Sequence, residues 1–244
     1  MIMRLKAFFG NIFKKLLFNP EWRCLLCGKE IFDGEYFCDK CLSELPFNNS
    51  AICGHCGREV VAFEPYCSTC KGKLIALDKC RSAFSYKKPI SALIKRLKYG
   101  NQKFLIDYFA DRLSKLYFNN YFNVDGIVFV PMTDKAKRKR GYNQSELLAE
   151  KLSSLVLVPV LYCLEKVKDT KRQATLNAAE RRKNLESAFR VTDKKSVKGK
   201  TLLIVDDVTT TGSTAEVIAE RLKKAGAKTV YLLTVASTPP IEKY

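Results

Sequence analysis

Four C-x2-C pairs crowd one short stretch of the chain: Cys24/Cys27, Cys38/Cys41, Cys53/Cys56 and Cys67/Cys70. Each cysteine of the first four recurs 29 residues later, and the text between recurs with them. "CLLCGKEIFDGEYFCDKC" and "CGHCGREVVAFEPYCSTC" share a glycine after the second cysteine, then a basic residue, a glutamate and an apolar pair. One C-x2-C pair presents two thiolates at a corner, and two pairs complete a tetrahedral shell. The duplicated C-x2-C-x10-C-x2-C unit therefore predicts two four-thiolate zinc sites. The repeat favours ligands paired within a copy, while a cross-braced arrangement uses the same spacing. Disulfides would need an oxidising compartment, and no secretion signal precedes the cysteines. Four thiolates leave no position for water, so both zinc ions are expected to be structural, folding a segment too short to bury its own core.

His55, the only histidine, lies inside the third pair. The rest of the chain therefore has no imidazole, which argues against Ser-His and Cys-His nucleophilic catalysis. Cys80 and Cys163 fall outside the repeat and read as small buried apolar groups. The 244 residues suffice for one substantial domain plus a smaller module. Lys and Arg number 43 against 25 Asp and Glu, a formal charge of +18, which points to polyanionic partners.

Three regions are expected. Residues 1–19 place Leu5, Phe8, Phe9, Ile12, Phe13, Leu16 and Leu17 at helical spacing. They predict an amphipathic helix, docked on the body or in peripheral contact with a membrane surface. Lysines interrupt its apolar run, so it is too short to span a bilayer, and the chain is expected to be cytoplasmic. Residues 20–72 hold the cysteine repeat. Residues 73–244 alternate strands and helices, the pattern of an α/β domain with a mostly parallel sheet. "KCRSAFSY", "GIVFVPM", "VPVLYCL", "TLLIVDD" and "TVYLLTVAS" read as strands. "PISALIKRLKYG", "KFLIDYFADRLSKLYF", "NQSELLAEKLSSLV" and "STAEVIAERLKKAG" read as helices, and "TDKAKRKRG" as a basic loop. That loop fits a solvated surface, a ligand contact or a nucleic-acid contact. Residues 166–190 are polar and charged.

In "TLLIVDDVTTTGST" the strand ends on Asp206 and Asp207, and ligands bind at such carboxyl ends. The turn that follows offers backbone N–H groups, hydroxyls and a helix N-terminus, an anion cradle. A Walker A loop is excluded because no lysine follows the glycine. Carboxylates accept from vicinal hydroxyls, so the combination fits a ribose 5-phosphate. The alternative is an acidic strand end that caps the next helix.

"LLIVDDVTTTGST" resembles the phosphoribosyl-pyrophosphate (PRPP) signature of type I phosphoribosyltransferases. "VPMTDKAKRKRGYNQ" and "TKRQATLNAAERRKNLESAF" resemble two further signatures of the ComF family, competence-associated proteins similar to amidophosphoribosyltransferases. That family's double zinc ribbon resembles the cysteine repeat. The resemblance implies a type I phosphoribosyltransferase-like parallel-sheet domain preceded by a small double zinc-ribbon module. It implies that Asp206 and Asp207 accept the ribose hydroxyls, and that Thr209, Thr210, Thr211, Gly212, Ser213 and Thr214 wrap the 5-phosphate. Pro131 and Met132 would open the pyrophosphate loop, with Arg140 supplying charge. Family members often carry arginine where this chain has Ala136, and Lys135, Lys137 or Arg138 would stand in. Gln173, Leu176, Arg181 and Asn184 correspond to a lid. Two functions follow from the resemblance. One is a phosphoribosyltransferase using PRPP with Mg. The other is a PRPP sensor or single-stranded-DNA-binding protein without turnover, working with the competence machinery in natural transformation.

Overall fold

The computed structural model describes residues 23–31, 35–48, 51–58, 60, 66–67, 70–71, 76–168, 185 and 187–239. The predicted N-terminal helix and the lid residues Gln173, Leu176, Arg181 and Asn184 lie outside the described residues. The chain forms two compact units, Met1–Leu45 and Pro46–Tyr244. In the first, a tight turn brings Cys24 and Cys27 together: the Cys24 N–H donates to Lys29 O at 2.8 Å and the Gly28 N–H to Cys24 O at 2.9 Å. The short helix α1 (Asp39–Ser43) carries Cys41 on its buried side.

The second unit opens with the same turn 29 residues on. There the Cys53 N–H donates to Arg58 O at 2.7 Å and the Gly57 N–H to Cys53 O at 3.0 Å. The repeat seen in the text is thus a repeat of backbone geometry.

Beyond it the elements run β1 (Lys79–Ser85), α2 (Ile90–Tyr99), α3 (Leu105–Asn119), β2 (Gly126–Phe129), α4 (Asp134–Arg140) and α5 (Gln144–Val156). The antiparallel pair β3 (Leu164–Lys166) and β4 (Phe189–Val191) follows, then β5 (Thr201–Thr209), α6 (Ser213–Lys224) and β6 (Thr229–Ser237). The main sheet has the order β1-β6-β5-β2 and every pairing is parallel. Both faces are covered, which is why β5 and β6 read as nearly continuous apolar runs rather than alternating ones. On one face Leu202, Ile204, Val230 and Leu232 meet α6 and Phe189. Helices α2, α3 and α5 bury Leu93, Leu97, Phe109, Leu113, Leu148 and Leu152 completely on the other side.

Two expectations are corrected. "TDKAKRKRG" is largely helical: Thr133 caps α4 by accepting from the Ala136 N–H, and Gly141 ends it at φ 87. No residue of Asp134–Arg140 is buried, so the helix lacks the apolar stripe by which helices are recognised in sequence. "VPVLYCL" is no full strand. Val160 makes an isolated parallel bridge to Ile127, and regular structure resumes only at Leu164.

The outer edge of β1 is occupied by Pro46–Asn48. The Ser85 N–H donates to Pro46 O at 2.8 Å and the Asn48 N–H to Ala83 O at 3.1 Å. Phe47 lies on Phe84 with ring centroids 5.0 Å apart, and the Asn48 side chain donates to Ser82 O and to Ser237 Oγ. Gly57 packs against the same strand. A Cβ there would sit 2.7 Å from Cys80 O, and its φ of +67 is unfavourable to any side chain.

Candidate functional site

The carboxyl end of β5 and the turn into α6 frame an open cleft of about 370 Å³, counting the solvent at its mouth. Asp206, Thr209, Thr210, Thr211, Gly212, Ser213 and Thr214 all line it, with Leu232 and Thr234 of β6 as floor. Gly212, at φ 79, turns the chain into the helix; it offers no side-chain cap itself, and Thr211 Oγ1 accepts from the Ser213 N–H at 3.4 Å. The first N–H groups of a helix have no intrahelical acceptor and carry the positive end of its dipole, so they suit an anion. Thr211 Oγ1 and Ser213 Oγ share a 2.8 Å hydrogen bond at the mouth. The loop is anchored from β6: the Thr238 N–H donates to Thr209 O and its hydroxyl to Thr210 O, both at 3.0 Å.

Strand alternation separates the two aspartates. Asp206 faces the cleft, where its Oδ1 accepts from Ser145 Oγ at 2.7 Å and from the Asp207 N–H at 2.8 Å. Desolvation, then the charge of Asp207, push its carboxyl up to about 7, against the hydrogen bond from Ser145 and the charge of Lys98. Asp207 does not line the cleft. It is buried at 3% exposure, and its Oδ1 pairs with Lys98 Nζ at 2.8 Å. Its Oδ2 is buried with no hydrogen-bond partner among the described residues.

The residues of the expected pyrophosphate loop are not among those lining this cleft. Pro131 is buried and Met132 half-buried. Arg140 donates to Gln144 at 2.6 Å and lies over the exposed Tyr99 ring at 5.4 Å. Their rim nevertheless touches that of β5, because the Val130 N–H donates to Val205 O and the Asn143 side chain to Val130 O. Gln173 and Arg181 lie outside the described residues. Sequence reasoning passed over Lys98 and Ser145, which hold the two carboxylates.

The eight repeat cysteines gather as two clusters, Cys24, Cys27, Cys38, Cys41 and Cys53, Cys56, Cys67, Cys70, whose sulfurs lie within 4.8 Å of one another. Ligands therefore pair within each copy. In the second cluster burial and neighbouring thiolate charge push Cys56 up to about 12. In the first, burial opposes ionisation of Cys24, yet backbone N–H groups of Cys27, Cys38 and Leu26 bring it down to about 6. Four sulfurs this close repel one another as thiolates unless a dication sits among them, so the donor sets fit Zn²⁺. His55 belongs to neither cluster and stacks on Tyr66 at 4.7 Å. Cys80 and Cys163 are buried at 2% and 1%. Among the described residues no helix is long and apolar enough to cross a membrane.

Parallel sheet, cradle and paired four-cysteine clusters define a phosphoribosyltransferase-like domain joined to a double zinc ribbon. Residues 13–71 match the double zinc ribbon domain family, and residues 139–242 match the phosphoribosyl transferase domain family. Competence protein F of Haemophilus influenzae is 35% identical over 159 residues, spanning 62% of this chain and 69% of that protein. DNA utilization protein YhgH of Escherichia coli K12 is 35% identical over 168 residues, 63% and 69% of the two chains. Competence protein ComFC of Bacillus subtilis is 27% identical over 150 residues, 60% and 58%. The chain belongs to the ComF family.

Proposed function

We propose that the cleft binds PRPP with magnesium, and that the protein acts in the cytoplasm in DNA uptake, a reading supported by relatives named for competence and for DNA utilization. The observation that carries the ligand reading is the convergence of Asp206 with a helix N-terminus and a hydroxyl-rich loop in one cleft. The loop N–H and hydroxyl groups would hold the 5-phosphate, and Asp206 would accept from a ribose hydroxyl while Ser145 keeps its carboxylate oriented. Positive charge for the pyrophosphate would come from Arg140 and the lysines of α4. Gln173 and Arg181 would add further contacts to the ligand. Magnesium, bound with PRPP, would supply positive charge for the pyrophosphate. The protein's share in a transfer would be charge placement and water exclusion, which suits a domain that offers no imidazole base.

A second reading, single-stranded DNA binding without turnover, is favoured by α4. Lys135, Arg138 and Lys139 are exposed there and none of the helix is buried. The chain's +18 charge agrees.

Calorimetric titration with Mg·PRPP tests the first reading. Saturable binding weakened roughly tenfold or more by D206N is expected, and equal affinity of variant and wild type would sink it. Release of pyrophosphate on adding candidate acceptors separates transferase from sensor.

A further inference from the structure

Lys98 is the penultimate residue of α2 and reaches the carboxyl end of β5 from the face opposite the cleft. Its place is rigid. Ile90, Leu93, Ile94 and Leu97 of the same helix are fully buried, and the Tyr142 hydroxyl donates to Leu97 O, fastening the turn that carries Lys98. Its ammonium meets Asp207 Oδ1 at 2.8 Å, with the two side chains 22% and 4% exposed. Asp207 and Asp206 share a strand and point to opposite faces, so one ammonium can hold only the first while acting on the second through space. Burial alone would pull Lys98 down, but the charge and hydrogen bond of Asp207, then the charges of Asp206 and Tyr86, outweigh it and hold the ammonium above its ordinary value.

We propose that Lys98 is a positioning residue that makes the two aspartates unequal, tying Asp207 into the domain as an internal ion pair and leaving Asp206 to meet the ligand. The proposal rests on the PRPP reading of the cleft and assigns a division of labour within it. Two adjacent carboxylates beside a phosphate cradle would repel a polyanionic ligand. An ammonium supplied from within cancels one of those charges before any metal arrives.

The test is a double-mutant cycle on the zinc-loaded full chain, with K98M, D207N and the K98M/D207N double variant, and K98R as the conservative replacement. Two readouts are taken: thermal unfolding without ligand and calorimetric titration with Mg·PRPP. K98M is expected to lower the unfolding midpoint and weaken binding roughly tenfold, because it strands a buried carboxylate. The double variant is expected to bind within about threefold of D207N alone, and K98R to recover most of the loss, so that the two single effects do not add. Additive losses, or K98M indistinguishable from wild type in both readouts, overturn the proposal. So does a double variant as defective as D206N, because Asp207 would then meet the ligand itself. Failure of the wild type to bind Mg·PRPP sinks the ligand reading alone. The pairing of Lys98 with Asp207 then stands or falls on the unfolding cycle.

Discussion

Ser145 and Asp206 are joined by a 2.7 Å hydrogen bond from hydroxyl to carboxylate. The bond ties the N-terminus of α5 to the rim of β5, so an element following the expected pyrophosphate loop sets the orientation of the acid in the cleft. Removing the hydroxyl with S145A should leave the fold intact and free the Asp206 carboxylate to rotate. The expected outcome is Mg·PRPP binding weakened about threefold to tenfold, measured calorimetrically, with an unfolding midpoint close to wild type.

Asp206 makes stability depend on pH. Its carboxyl titrates at about 7 in the folded protein against an ordinary 3.8. The folded state therefore binds this proton more tightly than the unfolded chain. The associated stability is complete below the lower value and is lost as pH rises to the higher one. D206N removes this dependence while keeping an oxygen for Ser145. Its advantage over wild type should grow by on the order of 2 kcal/mol between about pH 5.5 and pH 8, read from denaturant midpoints. A constant difference across that range would mean that Asp206 is ionised throughout.

The two repeat glycines, Gly28 and Gly57, have the same left-handed backbone, φ +73 and +67, in different surroundings. Among the described residues a Cβ on Gly28 meets nothing within 4 Å, whereas one on Gly57 runs into Cys80 O. G28A should cost about 1 kcal/mol for the backbone conformation alone. G57A should cost about 3 kcal/mol or more, since it must also push the second ribbon off β1. Thermal unfolding of the two variants side by side measures the difference.

The paired clusters predict two zinc ions per chain by elemental analysis of the purified protein. C56S should halve the content and lower the unfolding midpoint. C27S should remove one zinc as well, yet leave the unfolding of the Pro46–Tyr244 unit close to wild type, because that unit holds the other cluster.

If α4 meets a polyanion, its lysines should show in the salt dependence. Replacing Lys135, Arg138 and Lys139 by alanine is expected to reduce the slope of log affinity for single-stranded DNA against log salt by about 2. An unchanged slope would place any nucleic-acid contact elsewhere.

The parallel sheet and the ribbons were legible because their signals are strong. Runs such as Leu202–Val205 have few alternatives to a buried strand, and the cysteine spacing repeats at a fixed offset. Helix α4 was missed because Lys135–Arg140 bury nothing, although Thr133 at its start and Gly141 at its end are ordinary cap residues. The asymmetry of the aspartates was legible in principle, since neighbouring residues on a strand face opposite ways. The partner of Asp207 was not. Lys98 looks like any solvated lysine near a helix end, and its pairing depends on tertiary contacts between α2 and the sheet that no local pattern encodes.

The strip Pro46–Asn48 hides hydrogen-bonding groups along β1 that would otherwise be free to recruit another chain. Trimming the protein back to residue 73, where its text turns from cysteine-rich to α/β, would strip that cover and bare Phe84 with it. Such a fragment should self-associate even though its sheet is whole. A cut just ahead of Pro46 should instead keep that cover and stay soluble, so the chain divides between its two four-cysteine clusters.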